Sequence, residues 1–433
     1  MLIERVTLTN TEQADVKRAV ADLRRMIVGV EGIEQTVAAI AADVQAEGDK
    51  AVLRYTRELD TNGVEPLALR VPGEELDQAL EQTPLDLVAG LQVAIANVAR
   101  VADASIGADT VVVDLAQGHT VTLRELPVNA AAVYAPGGRA AYPSTVVMGV
   151  VTARAAGVLD VAVCTPPGPD GQAHPLILAA CRLCGVERVY RMGGAQAIAA
   201  LAFATESVER VDVVVGPGNQ YVQEAKRRLS HVVGIDGYAG PSDLMVVFGA
   251  DADPRLIALD LLAQAEHGAG SLVAGVSSSR EALDAVAGEI EREAVSWPQL
   301  RPDACVLIDV ATPAAAIDLA NEFAPEHLQL MGVAEQALAR RVRTAGCLFL
   351  GRNGATAFGD YTAGSNHVLP TGGAARFAST LSPRHFRRRM SVLEIGDEAA
   401  AKLARAGAPI ANAEGFPLHA ESMLARVREN ESG

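Results

Sequence analysis

In the segment Ala131-Ala132-Val133-Tyr134-Ala135-Pro136-Gly137-Gly138, a short apolar run ends abruptly in glycines. The same order returns where Val186–Tyr190 leads into Gly193-Gly194, and again where Val211–Val215 leads into Gly216-Pro217-Gly218-Asn219. Alanine-rich sequence with helical periodicity accompanies these turns. Because parallel strands need crossover connections, repeated units of strand, glycine turn and helix predict a parallel sheet with helices on both faces.

A second series of such units begins at Leu244–Phe248 and continues through Cys305–Ile308 and Cys347–Leu350. At 433 residues the chain is also too long for one simple core. We therefore predict an α/β protein with two Rossmann-like parallel-sheet domains, one interrupted and one inserted, and small helical extensions at both ends. The predicted boundaries are 1–27 for the N-terminal extension, 28–133 with 241–380 for the first domain, 134–240 for the inserted domain and 381–433 for the C-terminal extension.

Composition narrows the range of partners. A hydrophobic content of 49% with 21% charged residues is typical of a globular protein, and a formal net charge of -16 argues against nucleic acid as a partner. The one notable basic run, Arg387-Arg388-Arg389, is interpreted as a solvated face or a partner contact. The N-terminus lacks the apolar core of a signal peptide. No apolar stretch is expected to reach membrane-spanning length, so we expect a soluble, cytoplasmic protein.

Cysteine usage agrees with a reducing compartment. Five cysteines are scattered through apolar runs, which is typical of reduced thiols. Cys181 and Cys184 form a C-x-x-C within a helical pattern, but no second Cys or His pair lies nearby. We interpret both as buried structural thiols.

All three glycine turns are predicted at the carboxyl edge of the inserted sheet, where the ligands of parallel sheets collect. Glycine there lets a ligand approach the backbone N–H groups at helix N-termini. None of the turns is a good G-x-G-x-x-G, so tight strand-to-helix connections explain them as well as a bound dinucleotide does.

Oxygen and nitrogen donors occur in separated segments of the chain. Gln264 and His267 are three residues apart in a helical pattern that begins at Pro254, so they can share one helix face. Asp360 follows a glycine in a turn-rich loop, and His419 lies near the C-terminus. Two imidazoles, one carboxylate and one amide form a donor set that suits zinc. His267 taken alone could instead complement the C-terminus of its helix.

Glu326 and His327 are adjacent, and adjacent side chains diverge in a regular helix or strand. Pro325 disfavours helix at Ala324, so an irregular backbone can direct both side chains into one pocket. A base near neutral pH and a carboxylate that activates water would then serve a two-stage reaction. A surface glutamate beside a capping histidine is the alternative interpretation.

Taken in order and with their spacing, these motifs and their neighbours resemble the histidinol dehydrogenase family. The resemblance extends from about Tyr134 to His419. It rests on Tyr134-Ala135-Pro136-Gly137-Gly138, Gly193-Gly194-Ala195-Gln196-Ala197-Ile198-Ala199, Gly216-Pro217-Gly218-Asn219, Gly240-Pro241-Ser242, Gln264-Ala265-Glu266-His267, Glu326-His327-Leu328, Gly359-Asp360-Tyr361 and Asn366-His367-Val368-Leu369-Pro370-Thr371.

The resemblance implies an activity and a set of site residues. Family members oxidise L-histidinol by four electrons to L-histidine through L-histidinal, reducing two NAD in turn, as the last step of histidine biosynthesis. The implied homodimer shares its active site, with the C-terminal extension on the partner subunit. The implied residues are Gln264, His267, Asp360 and His419 for one zinc ion per subunit, Tyr134, Gln196 and Asn219 for NAD, Glu326 and His327 for acid–base catalysis, and Ser242, Gln264, His267, His327, Asp360, His367, Glu414 and His419 for the substrate.

The chain departs from the family pattern at several positions. Asp243 stands where Glu is usual, Gly149 and Thr152 stand where Asn and Pro are usual, and residues 97–129 match poorly. These changes leave the implied zinc and acid–base residues intact. They leave the substrate open, because relatives that act on other small alcohols share the zinc site.

Three alternatives to this activity are considered. An enzyme that oxidises another small hydroxylated metabolite, such as a sulfonated diol, is disfavoured by Glu414, which would repel a sulfonate. A zinc hydrolase without a cofactor is disfavoured by the glycine turns. A non-catalytic metal-binding scaffold would leave the adjacent Glu326 and His327 unexplained.

Overall fold

The structure is a computed structural model that describes residues 3–8, 12–26, 32–137, 140–268, 270–300 and 304–428. Its strands are β1 (Glu4–Leu8), β2 (Thr110–Asp114), β3 (Thr120–Pro127), β4 (Ala130–Tyr134), β5 (Asp160–Thr165), β6 (Arg188–Arg191), β7 (Val213–Val215), β8 (Gly234–Ile235), β9 (Asp243–Phe248), β10 (Leu272–Ser277), β11 (Ala304–Val310), β12 (His327–Met331), β13 (Cys347–Leu350) and β14 (Arg387–Glu394). Its helices are α1 (Gln13–Arg25), α2 (Ile33–Glu47), α3 (Asp49–Tyr55), α4 (Gly73–Glu81), α5 (Leu85–Ala104), α6 (Pro143–Ala155), α7 (Pro175–Leu183), α8 (Gly194–Phe203), α9 (Gln220–Leu229), α10 (Pro254–Ala265), α11 (Arg280–Ala294), α12 (Pro313–Phe323), α13 (Val333–Ala337), α14 (Thr356–Tyr361), α15 (Asp397–Ala413) and α16 (Pro417–Arg428). A π-helical turn spans Thr56–Asp60. Gly138, at the end of the first glycine turn, lies outside the described residues.

The second predicted series of strands forms a parallel sheet in the order β1-β11-β10-β9-β12-β13. The central strand β9 is buried throughout, as expected for a strand covered on both faces. Met245 and Val247 pack in a cluster with side chains of α1 and α12. Leu244 and Val246 pack with α10 and α11 on the other face. The prediction of strands at 244–248, 305–308 and 347–350 is therefore confirmed.

The N-terminal segment differs from the prediction of a helical extension over 1–27. Residues Glu4–Leu8 form β1, which pairs in parallel with β11 at the edge of the sheet, and α1 packs against α12. Both elements therefore belong to the same domain as β9. The sequence Glu-Arg-Val-Thr-Leu is largely exposed at this edge and has no distinctive apolar pattern, so pairing with β11 is what defines the strand.

The segment predicted as the inserted domain contains a parallel sheet in the order β6-β5-β4-β7-β8. Counted along the chain, these strands are the third, second, first, fourth and fifth of the sheet, which is the doubly wound arrangement. The glycine turns follow β4, β6 and β7, at the carboxyl edge, as predicted. The sheet begins at Ala130, before the predicted boundary at 134.

Helices α2 and α3 correct the predicted division of the chain. The prediction assigned residues 28–133 to the first domain, but Val37 and Val44 of α2 are buried in one cluster with Ala132 and Tyr134 of the inserted sheet. Helical periodicity shows that α2 has an apolar face, but it does not show which sheet that face covers. α2 ends at Glu47, and Gly48, with a φ of 58°, separates it from α3. Asp49 is the first residue of α3, and Gly48 is the residue that precedes it at the N-cap.

A second compact unit consists of Ile106–Val128 and Arg387–Gly433. It contains an antiparallel sheet in the order β14-β3-β2 and the packed helices α15 and α16. The prediction of a helical extension over 381–433 missed β14, and the poorly matching segment 97–129 supplies β2 and β3. Arg389 of the basic run pairs with Glu125 of β3. These residues are 264 positions apart in sequence, so no local pattern could predict the pairing.

One helix corrects the expectation that no apolar stretch reaches membrane-spanning length. Leu85–Ala104, α5, has 20 residues and a mean hydropathy of 1.5 in its most apolar window, of which 22% is buried. It packs against α6. A single helix of this kind is weak evidence for a membrane span, because core helices of other proteins meet the same length and composition.

Two departures from the family pattern have a packing cause. Gly149 lies in the buried helix α6, and a Cβ at this position would lie 2.6 Å from both Cγ atoms of Val133 on β4. A larger residue at 149 would therefore overpack against valine at 133 unless one of the two side chains shifts. Thr152 donates to the carbonyl oxygen of Met148 at 2.6 Å and accepts from the Asn366 amide at 3.1 Å. Proline at 152 could make neither hydrogen bond.

Gly149→Ala should lower the free energy of unfolding by about 1–3 kcal/mol, because overpacking against Val133 outweighs the better helix propensity of alanine, worth about 1 kcal/mol. In a Val133→Ala background the same substitution should be neutral or stabilising. Urea unfolding of the single and double variants measures both effects. Gly288→Ala is the matched control, because a Cβ there meets open space. A destabilisation that is unchanged by Val133→Ala would contradict this account.

Candidate active site

The backbone between α12 and β12 brings Glu326 and His327 side by side. α12 ends at Phe323, Ala324 adopts a left-handed conformation with a φ of 52°, and β12 begins at His327. Glu326 and His327 are only 7% and 3% exposed, and Nδ1 of His327 lies 3.7 Å from Oε2 of Glu326. The geometry agrees with the expectation of an irregular backbone around Pro325. The alternative of a surface glutamate is wrong, because Glu326 is buried.

Hydrogen bonds connect Glu326 to Gln264 and fix its carboxylate. Ser242 Oγ donates to Glu326 Oε2 at 2.6 Å, and Gln264 Nε2 donates to Ser242 Oγ at 2.5 Å. Asp243 forms a reciprocal pair with Glu326: its N–H donates to Oε2 at 3.1 Å, and its Oδ1 accepts from the Glu326 N–H at 2.6 Å. The sequence identified Asp243 only as a departure from a family pattern. Its contact with Glu326 depends on the pairing of β9 with β12.

Asp360 and His367 extend this group. Asp360 lies in the short helix α14, whereas the sequence predicted a loop, and its Oδ1 lies 3.5 Å from Nε2 of His327. His367 Nδ1 donates to the carbonyl oxygen of Asp360 at 2.9 Å, and its Nε2 accepts from Thr145 Oγ1 at 3.1 Å. Thr145 belongs to α6, which follows the first glycine turn. His367 therefore connects the catalytic candidates with the inserted domain.

The predicted helix face shared by Gln264 and His267 is wrong. α10 ends at Ala265, so His267 is an exposed residue beyond the helix, whereas Gln264 is buried within it. His267 still acts electrostatically on Glu326 and Asp360, which places it near their carboxylates. In the part of the chain that the structure describes, no group of three or more His, Cys, Asp and Glu side chains has metal-binding geometry.

Burial and mutual contact shift the pKa values of this group. Burial raises the pKa of Glu326. Burial opposes protonation of His327, but Glu326 and Asp360 outweigh it and raise the pKa of the imidazole to about 9. Burial also opposes ionisation of Asp360, yet its contact with His327 lowers the pKa of this carboxyl. Burial lowers the pKa of His367, and burial with the nearby Glu326 raises that of Asp243 to about 7.

The group lies at the amino edge of the sheet that contains β9. Asp243, His327 and Cys347 are the first residues of β9, β12 and β13. Ligands of open parallel sheets usually bind at the carboxyl edge, so this placement differs from the rule. Ser242 immediately precedes β9, and Glu326 immediately precedes β12, whereas Asp360 lies in α14. The group is therefore at the amino edge because two of its residues lie on the segments that lead into these strands.

Glu414 and His419 belong to the second compact unit. Glu414 follows the last residue of α15, and His419 lies in the first turn of α16. Both are exposed, and the His419 ring contacts Phe416 with ring centroids 5.3 Å apart. Their predicted roles in metal and substrate binding remain predictions.

The residues predicted to contact NAD lie at the carboxyl edge of the five-stranded sheet. The Tyr134 hydroxyl accepts from the Gly194 N–H at 3.2 Å. Gln196, in the first turn of α8, is fully buried and donates through Nε2 to Asp60 Oδ2 at 3.3 Å. Asn219 caps α9, with its Oδ1 accepting from the N–H groups of the second and third helical residues, each at 3.1 Å. The sequence analysis did not identify Asp60, which lies beside Gln196 at this edge.

A buried ion pair fixes the third glycine turn. Lys226 pairs with Asp236, and both side chains are buried. Lys226 Nζ also donates to the Gly216 carbonyl oxygen at 2.9 Å, while Asp236 Oδ2 accepts from the Gly216 N–H at 2.7 Å. Gly216 has a φ of 116°, a conformation that favours glycine. The ion pair therefore binds both the N–H and the carbonyl group of Gly216, which fixes the turn that leads to Asn219.

Comparisons with known proteins agree with this architecture. Residues 23–427 match the family model described as histidinol dehydrogenase. The histidinol dehydrogenase of Synechococcus sp. is 42% identical over 399 residues, covering 91% of this chain and 92% of that protein. The enzyme of the same name from Gluconobacter oxydans is 40% identical, covering 92% and 94%. The crystal structure of histidinol dehydrogenase from Elizabethkingia anophelis superposes with a TM-score of 0.90 at 29% identity, covering 98% of both chains.

These similarities distinguish between the alternative functions that the sequence left open. They extend over nearly the whole chain and over the fold as well as the motifs. They support neither an enzyme for another small hydroxylated metabolite nor a zinc hydrolase nor a non-catalytic scaffold. The chain belongs to the histidinol dehydrogenase family, the oxidoreductases that catalyse the final step of histidine biosynthesis.

Proposed function

We propose that this chain oxidises L-histidinol to L-histidine through L-histidinal, with zinc and NAD. The observation that carries the proposal is the connected group of Ser242, Glu326, His327, Asp360 and His367. Carboxylates and imidazoles are costly to bury unless they are paired or serve a site. A proton acceptor and a carboxylate that can activate water, held in one place, suit two successive oxidations.

The zinc ligands in this proposal are Gln264, His267, Asp360 and His419. Their amide, imidazole and carboxylate donors suit zinc. A cation is favoured by the carboxylates of Glu326 and Asp360, which together raise the pKa of the His327 imidazole beside them. When bound, zinc would lower the pKa of the substrate hydroxyl as a Lewis acid, and NAD would accept the hydride.

The chain's own residues have separate roles. His327 Nδ1 donates to the Asp243 carbonyl oxygen at 3.3 Å, which leaves Nε2 as the basic atom that removes the proton of the substrate hydroxyl. Glu326, fixed by Ser242 and Asp243, activates the water that adds to the aldehyde. Because Asp360 contributes to the raised pKa of His327, use of its carboxylate by a cation would favour the neutral imidazole that a base requires.

Substrate contacts are proposed from several segments. Ser242 and His367 would orient the substrate within the unit that holds Glu326. The metal ligands Gln264, His267, Asp360 and His419, with His327 and Glu414, complete the proposed set. A carboxylate at Glu414 favours a substrate that carries an amine or an imidazole.

NAD is proposed to bind at the carboxyl edge of the five-stranded sheet, near Tyr134, Gln196 and Asn219. Gln196 Oε1 and Thr165 Oγ1 are buried there without hydrogen-bond partners in the described residues, so a ligand could satisfy both. Glycine at 137 keeps the approach to Thr165 open, because a Cβ at that position would lie 2.7 Å from its hydroxyl. These features fit a polar ligand seated close to the backbone.

We also propose a homodimer with a shared active site, based on the second compact unit. In the described residues of that unit, the buried apolar side chains are all alanine: Ala399, Ala404, Ala408 and Ala420. Its large apolar side chains include several that are mostly exposed: Val112 at 60%, Ile410 at 60%, Phe416 at 54% and Leu418 at 81%. A unit with so small a core needs a further surface to cover it, and a second copy of the chain can supply that surface.

The cytoplasm is the proposed location. Cys164, Cys181, Cys184, Cys305 and Cys347 are all free thiols. Burial raises the pKa of Cys184 and of Cys305 to about 12, so both stay protonated and unreactive. Free thiols in these numbers are typical of a reducing compartment.

The function is tested by following NADH formation from L-histidinol and NAD. Zinc-loaded protein should form NADH and L-histidine, and chelation of zinc should abolish both while thermal melting changes little, because catalytic metals seldom support the core. Re-addition of zinc is the control for irreversible damage. Full activity in verified metal-free protein would contradict the zinc assignment. No NADH from zinc-loaded protein would contradict the substrate.

A further inference from the structure

Asp60 is a carboxylate at the proposed NAD site that neither the proposed metal set nor the proposed acid–base residues include. It ends the π-helical turn Thr56–Asp60 and is partly exposed at the carboxyl edge of the five-stranded sheet. Its Oδ2 accepts from Gln196 Nε2 at 3.3 Å, and its Oδ1 would lie 3.3 Å from a Cβ at Gly193. Asp60 therefore lies beside the glycine turn that follows β6 and beside α8, the helix that this turn leads into.

The surroundings of Asp60 favour a ligand that donates hydrogen bonds. Burial raises the pKa of this carboxyl to about 7, and no ion pair to it is found among the described residues. A carboxylate in this position without a cation costs stability, so folding alone gives no reason for its charge. An asparagine would hold Gln196 equally well. Hydroxyl donors from a ligand would stabilise the ionised form.

Sheet topology indicates which part of a dinucleotide lies beside Asp60. The order β6-β5-β4-β7-β8 reverses between β4 and β7, and dinucleotides bind across such a switch point. Asp60 lies next to Gly193, which follows β6, and a Cβ at Gly193 would also contact Pro166, which follows β5. In doubly wound domains an acidic residue at the end of the second strand binds the adenosine ribose. Asp60 lies on the corresponding side of the switch point, but it belongs to a turn that precedes the sheet in the chain and not to the second strand.

We infer that Asp60 accepts hydrogen bonds from the adenosine ribose hydroxyls of NAD and excludes NADP, whose 2′-phosphate it repels. The inference rests on the proposed function, because it requires NAD at this edge. It names Asp60 as the residue that determines cofactor choice. Neither Tyr134, Gln196 nor Asn219 carries a charge that could distinguish the two dinucleotides.

The test measures binding of NADH and NADPH by their fluorescence, without substrate, at a pH of about 8.5 so that Asp60 is ionised. Asp60→Asn removes the charge but keeps an oxygen that can accept from Gln196. NADH binding should weaken about tenfold through the lost charge-assisted hydrogen bonds. NADPH binding should be unchanged or tighter, so the preference for NADH falls at least about tenfold. Glu58→Gln, which removes the same charge from an exposed residue of the same turn, should change neither affinity.

The outcomes distinguish this inference from the proposed function. Wild-type protein that binds neither dinucleotide overturns the proposed NAD site and the inference with it. Wild-type protein that binds NADH no better than NADPH overturns only the inference. So does an Asp60→Asn variant that keeps the wild-type preference or loses affinity for both dinucleotides equally. Asp60→Ala, with thermal melting of each variant, provides a second measurement of the same preference if Asp60→Asn folds poorly.

Discussion

A mixture of inactive Asp360→Ala and His419→Ala chains should regain about one quarter of wild-type activity after subunit exchange. If His419 acts on the partner subunit, each mixed dimer contains one site with both defects and one site with neither. Random exchange makes about half of the dimers mixed, and one of the two sites in each is intact. The proposal of a shared site thus predicts a recovery that neither variant can show alone.

The matched control is a mixture of Asp360→Ala with His267→Ala. Both of these residues lie outside the second compact unit, so every mixed dimer has a defect in each site and activity should stay at background. Mass-tagged chains and native mass spectrometry verify the exchange. Background activity in the first mixture after verified exchange would place His419 in the site of its own chain. Recovery in the control mixture would show that the assay reports something other than shared sites.

His327→Ala should lower both half-reactions by about 10²–10⁴-fold, because it removes the proposed proton acceptor. Glu326→Gln should impair the aldehyde step by about 10²-fold or more, and the alcohol step much less, because only the second step needs activated water. Pre-steady-state NADH traces started from L-histidinol and from L-histidinal separate the two steps. Equal losses in both steps for both variants would contradict this division of roles.

Glu335→Gln is the matched control for Glu326→Gln. Glu335 is also a buried carboxylate, but it lies in α13 beyond the carboxyl end of β12. Burial raises its pKa, so replacement by a neutral amide should not destabilise the fold. Loss of the aldehyde step in this control would mean that a general effect on folding, and not water activation, explains the Glu326 result.

Local sequence predicted the elements with strong periodic patterns. The runs 244–248 and 211–215 indicated buried strands because apolar residues that suit a sheet interior predominate in both; in the second run only Asp212 is polar, and β7 begins directly after it. Strands without a strong apolar pattern were not predicted. β1 and β14 are largely exposed edge strands, so their residues carry little apolar signal and only their partners define them.

The sequence predicted which residues could form the candidate site, but not how all of their side chains are arranged. Adjacent Glu326 and His327 indicated a paired site because Pro325 interrupts the helix before them, and they lie 3.7 Å apart. The prediction that Gln264 and His267 share a helix face is wrong because α10 ends at Ala265. Helix ends depend on capping and on tertiary contacts that periodicity does not contain.

Local patterns and the order of motifs were sufficient to predict the α/β class, the repeats of strand, glycine turn and helix, and the family. Three contacts could be found only in the folded chain: the packing of α2 on the five-stranded sheet, the hydrogen bonds of Asp243 with Glu326, and the position of Asp60 beside Gln196. Those contacts join segments 83 and 136 residues apart in the latter two cases. Their partners are chosen by how whole sheets pair and pack, which is a property of the assembled core and not of any single segment.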